Sequence, residues 1–158
     1  MDQADRDFFA ANGFLKLGQV LDAEEVQYFR AIFDGDLEKY PYFWHPYGHH
    51  QNANYEALIT SPQFDELIRH AKIYPTIKEL MGGPLCFGEI GLRLMRAYDG
   101  ELHQGWHRDK PHWDEHPFRM DYIQLMVYLT DVDAGTHCFS LSPESIEQPG
   151  LQDHGEQI

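Results

Sequence analysis

The chain has 158 residues, 42% hydrophobic and 14% aromatic, a globular composition in the size range of one domain that folds without disulfide staples. With 26 acids against 12 bases the formal net charge is -14 and the cations are scattered singly, which argues against a nucleic-acid partner, because phosphates would be repelled. The start, MDQADRDFF, has no apolar h-region and no apolar run reaches bilayer length, so neither a secretory signal nor a membrane span is expected.

Cys86 and Cys138 lack a CxxC or framework spacing. They read as reduced residues of a cytoplasmic protein, with a single disulfide as the alternative. Composition points to a soluble protein with a small-molecule or protein partner.

In chain order, ADRDFFAAN predicts a helix over 4–12 closed by Gly13. The following FLKLGQV suggests a short strand turning at Gly18. A clearer helix follows, with Asp22 as N-cap, Glu24 and Glu25 at its positive end, and Val26, Phe29, Ile32 and Phe33 as a core stripe. Residues 40–55, YPYFWHPYGHHQNANY, read as a loop broken by Pro41, Pro46 and Gly48. Its His45, His49 and His50 suit a structural or substrate-lining role better than a metal cluster, since no acid stands at ligand spacing. From Ser61 to Met81 helical patterns return, with Ser61 and Pro62 as a capped start, Pro75 as a break and Gly82–Gly83 as the end.

The period then changes. PLCFGEIGLRLMRAY and DYIQLMVYLTDV are strand-like, and THCFSLSP offers a third strand. Helices first and strands after predict an α+β domain over 1–158, with a helical part of 1–83 and a β part of 84–158.

Between the first two strands lies GWHRDKPHW. His107 and Asp109 stand two apart, so in extended backbone both side chains point the same way. An imidazole and a carboxylate aimed at one point are two thirds of a 2-His-1-carboxylate site, which leaves positions open on non-haem iron. Alone, such a tripeptide arises by chance in many proteins. Its setting between two strands, directly after Trp106, sharpens it. Trp106 fits a wedge that holds the turn, while Lys110, His112, Trp113 and His116 suit either a substrate lip or a solvent loop.

Three stretches resemble the phytanoyl-CoA dioxygenase family, in the same order along nearly the whole chain. They are the opening DFFAANGFLKLGQVLDAEEVQYFRAIFD, the turn GWHRD, and IQLMVYLTDVDAGTHCFSLSPES. The resemblance implies an Fe(II)- and 2-oxoglutarate-dependent dioxygenase. Its helices would pack on a double-stranded β-helix of the jelly-roll or cupin-like kind, and it would hydroxylate a small organic substrate with O2. It implies that His107 and Asp109 are the first two iron ligands.

Strand alternation sets Tyr122, Gln124, Met126 and Tyr128 on one face, with Ile123, Leu125, Val127 and Leu129 on the other, under the helices. Tyr122 and Gln124 are the candidates for contacts near 2-oxoglutarate or substrate. Arg96 sits near where the family places a basic or amide residue toward the cosubstrate, although its parity with Leu92 and Leu94 opposes that role.

Two departures stand against the family pattern. PES replaces the PGSH-like element, with Glu144 for glycine and Ile146 for histidine. The family's second iron histidine and its 2-oxoglutarate arginine lie on late strands, so the pattern implies a chain that ends before its third ligand. His154 lies in a polar tail, and His137 comes too soon after the turn. The alternatives are a non-catalytic or degenerate β-helix scaffold that binds a ligand, and a cupin-like zinc or nickel protein using His103. Half a β-helix would also leave open strand edges, which predicts homo-oligomers.

Overall fold

Two reciprocal side-chain caps start the first two helices. The structure, a computed structural model, describes residues 1–48, 50–96, 122–133, 136, 138, 139 and 141. Helix α1 (Gln3–Asn12) opens on Asp2, whose carboxylate accepts the Asp5 N–H at 2.8 Å while the Asp5 side chain accepts the Asp2 N–H. Gly13 closes it at φ 76, a left-handed backbone that glycine adopts without steric cost. Helix α2 (Ala23–Lys39) repeats the device with Asp22 and Glu25 at 2.8 and 2.9 Å. Each such cap contributes about 1 kcal/mol.

The strand expected from FLKLGQV does not form; residues 14–20 are irregular and turn at Gly18 with φ 69. Their apolar residues serve packing instead. Phe14 meets Phe8 edge-on at 5.3 Å, and Val20 lies against the core. A strand also needs a ladder partner, and no described strand runs beside this segment.

The stretch read as a loop holds a hairpin. After a short 3-10 turn (Pro41–Phe43), β1 (His45–Gly48) pairs antiparallel with β2 (Gln51–Asn54), and β2 pairs antiparallel with β3 (Leu92–Met95). Pro46 sits on an edge strand, where a missing N–H is tolerated. Gly48 and His50 take positive φ values of 84 and 61 at the reversal, as tight hairpin turns require. The register slips between Pro46 and Gly48, which leaves Tyr47 as the extra residue of a bulge.

Three short helices follow: α3 (Ala57–Thr60), α4 (Phe64–Ile68) and α5 (Tyr74–Met81). Pro75 lies in the first turn of α5, and Gly82 closes that helix at φ 68, as expected. Ser61 does not cap the start of α4. It ends α3 instead, and its hydroxyl is engaged elsewhere.

The core gathers Leu21, Phe29, Trp44, Ala57, Phe64, Leu67, Ile73 and Leu92. Phe29 stacks on Phe64 with centroids 5.9 Å apart, and Phe33 meets Trp44 edge-on at 5.1 Å. Burying one such side chain is worth about 1.5–3 kcal/mol. Leu92, and Leu94 beside it, bring the sheet onto this core, so Arg93 and Met95 alternate to the opposite face. A latch joins α2 to the α4–α5 connection: His70 Nε2 donates to Glu25 Oε1 at 3.0 Å while the Lys72 N–H donates to His70 Nδ1. Arg6 pairs with Glu79, tying α1 to α5.

Residues 122–133 form no strand, contrary to expectation, and neither do residues 138, 139 and 141. Their alternation still sorts burial: Ile123, Val127 and Leu129 are half-buried, whereas Tyr122, Gln124, Met126 and Tyr128 are exposed. Leu125 breaks the pattern by being exposed. Val127 and Leu129 reach the core. The segment thus has an apolar face, but no ladder joins it to the described strands. The Phe139 N–H donates to the Tyr128 hydroxyl at 2.7 Å. The described residues form a mixed fold of helices and one small antiparallel sheet, with no helix long and apolar enough to cross a membrane.

Candidate functional site

The sheet is fixed to the helices by one buried carboxylate. Asp36, on α2, is 1% exposed. Its Oδ1 accepts from Trp44 Nε1 at 2.9 Å and Asn54 Nδ2 at 2.8 Å, and its Oδ2 accepts from the Ser61 hydroxyl at 2.6 Å. Asn54 continues outward: Nδ2 also reaches Thr60 Oγ1 at 3.0 Å, and its carbonyl accepts the Glu56 N–H at 2.8 Å. Burial by itself pushes the Asp36 carboxyl upward, but the donors Ser61, Thr60, Asn54 and Trp44 together outweigh it and hold the group below its ordinary value. The carboxylate therefore stays charged, and its bonds set where β1, β2 and α3 meet α2.

On the far face of the sheet, Tyr47 from β1, Tyr55 just past β2 and Arg93 from β3 come together. The guanidinium lies 4.5 Å from the Tyr47 ring centroid and donates to the Tyr55 hydroxyl at 3.2 Å. The two rings are 5.7 Å apart. Burial and a hydrogen bond with Tyr47 raise the Tyr55 pKa against the lowering effect of Arg93. Sequence reasoning singled out neither Arg93 nor Asp36 for this region. A signal existed for Asp36: it follows Phe29 by seven and Phe33 by three, so an acid continues the core stripe of α2.

Of the expected site residues, Arg96 stands just past β3. Its N–H donates to the His50 carbonyl at 3.1 Å and its side chain is exposed. Tyr122 and Gln124 are exposed on the 122–133 segment. His45 lies exposed on β1 and pairs with Ala53 in register, and Ala53 pairs with Arg93. The expected ligands His107 and Asp109 lie outside the described residues, as do His49, His103, Trp106, Lys110, His112, Trp113, His116, His137, Glu144, Ile146 and His154. Among the described residues, no group of three or more histidines, cysteines or acids could hold a metal ion. Whether the chain accommodates iron therefore rests on side chains other than those described.

The family model for phytanoyl-CoA dioxygenase (PhyH) matches residues 9–155. That is nearly the whole chain, and the chain belongs to this family. The family consists in general of oxygenases that depend on Fe(II) and 2-oxoglutarate, with a cupin-like fold. No curated protein and no solved structure matches the chain.

Proposed function

We propose that this chain is an Fe(II)- and 2-oxoglutarate-dependent dioxygenase that hydroxylates a small organic substrate, with His107 and Asp109 as two of its iron ligands. The observation that carries this reading is the family match over residues 9–155, which encloses the Trp106-His107-Arg108-Asp109 turn. The donor set suits the metal, since one imidazole and one carboxylate leave open positions for a chelating cosubstrate and oxygen. Bound iron would couple the oxidative decarboxylation of 2-oxoglutarate, to succinate and CO2, to oxidation of the substrate.

The chain's own part is to orient and to exclude water. In this reading the described sheet and helices are the outer wall of a double-stranded β-helix, which the Asp36 bonds hold in register. Tyr122 and Gln124 present hydroxyl and amide groups to the cosubstrate or substrate, and Arg96 offers a cation near it. Small-molecule pockets are lined mostly by apolar side chains, with a few polar or charged groups placed to fix the ligand.

Succinate release tests the reading. Incubating the full chain with Fe(II), 2-oxoglutarate, ascorbate and air should give slow succinate formation without added substrate. His107→Ala and Asp109→Ala should abolish it while leaving the melting temperature in place. Succinate formation that survives in both variants would refute these ligands.

A further inference from the structure

The far face of the sheet carries a cluster that the oxygenase reading does not use. We propose that Tyr47, Tyr55 and Arg93 form a binding site for the carboxylate of a small organic acid, with Arg93 as its cationic contact. The inference stands on this geometry alone and does not depend on the iron ligands.

Four observations converge. First, the chain carries 26 acids, yet among the described residues none forms an ion pair with Arg93. A guanidinium has five N–H donors, and among the described residues only the Tyr55 hydroxyl accepts from Arg93. Second, the group is already held. The stack on Tyr47 at 4.5 Å and the Tyr55 bond at 3.2 Å fix a long side chain before any ligand arrives, which lowers the ordering cost of binding.

Third, the cluster has donors in surplus. The Tyr55 oxygen accepts from Arg93, and the remaining guanidinium protons have no acceptor within the cluster. A carboxylate accepts and never donates, and it matches the planar fork of arginine. Fourth, the backbone makes room. At Gly91 an added Cβ would come within 2.9 Å of the Tyr55 ring, so the ring rests directly against this glycine and a side chain there would push it aside. Tyr47 is the bulge residue of β1, and bulges re-aim side chains beside sites. The carbon skeleton of the acid would lie on the two half-open rings, which are 48% and 38% exposed.

A carboxylate could belong to the cosubstrate or to the substrate, and two probes separate them. Metal-free full-length chain is titrated calorimetrically with phenylacetate and with 2-oxoglutarate, at constant chloride. Binding of either acid should weaken roughly tenfold or more in Arg93→Gln, as expected for loss of a charge-assisted hydrogen bond. Arg93→Lys, which keeps the charge and loses the fork, should fall between. Gly91→Ala should weaken binding by displacing Tyr55 with every charge retained. Sensitivity with phenylacetate assigns the substrate's carboxylate, and sensitivity with 2-oxoglutarate alone assigns the cosubstrate's. If Arg93→Gln fails to fold, Arg93→Lys and Gly91→Ala decide. Absence of binding by both acids, or unchanged affinity in Arg93→Lys and Gly91→Ala, would reduce the cluster to a cross-strand surface stack and overturn the proposal.

Discussion

The Ser61 hydroxyl donates to Asp36 Oδ2 at 2.6 Å although 25 residues separate the two. This bond, with those from Trp44 and Asn54 to Oδ1, makes one carboxylate the junction of α2, the hairpin and α3. Replacing Asp36 by Ala should destabilise the chain by about 3 kcal/mol or more, because each buried donor left unpaired costs about 1–3 kcal/mol. Urea denaturation at neutral pH measures this directly.

The same carboxylate makes stability depend on acid. Its folded-state pKa lies below the ordinary value of 3.8, so on acidification the unfolded chain takes up the proton first. The contribution of Asp36 is then complete above pH 3.8 and is lost as pH falls through the lower, folded value. Asp36→Asn should be less stable than wild type at neutral pH, and the difference should shrink in strong acid. Denaturation midpoints of the two chains across that range test the sign.

Trp44→Phe isolates one arm of the junction. The ring still packs on Phe33, but the Nε1–H that meets Asp36 at 2.9 Å is removed. The expected loss is about 1.5–3 kcal/mol, the range for a hydrogen bond to a charged group. A loss as large as that in Phe64→Ala, for which about 3–5 kcal/mol is expected, would show that Trp44 acts by volume instead.

At the latch, Glu25 is held below its ordinary value of 4.5, first by the Asp22 N–H and then by His70. His70→Ala should move the Glu25 pKa upward but not all the way to 4.5, because the larger cause remains. Carboxyl NMR titration reads the shift. An unchanged Glu25 titration would mean that the His70 bond is not formed in solution.

Local chemistry was legible in the sequence where the cause was local. Asp22 and Gly13 act within one helical turn, and so does Gly82. The hairpin was hidden because aromatics, histidines and prolines mask the alternation of 45–54, and its third strand lies some forty residues away at 92–95. Ser61 looked like an N-cap because serine before proline often is one. What decided its role was Asp36, from another helix. The reverse failure occurred at 14–20 and 122–133, where apolar alternation was read as a strand. Alternation reports a face, and that face is visible at Val127 and Leu129. A strand also needs a partner. For the candidate site, the His107–Asp109 spacing and the family resemblance were legible, and the family is shown. The Arg93 cluster was not, since it joins side chains from β1, β3 and the residue just past β2.

The central claim is that His107 and Asp109 hold iron together with 2-oxoglutarate. Anaerobic addition of Fe(II) and 2-oxoglutarate to the full chain, followed by visible absorption, tests it most directly. The account predicts a weak charge-transfer band that is lost in both His107→Ala and Asp109→Ala, with their folding intact. A folded wild-type chain that gives no band, or variants that keep it, would contradict the account.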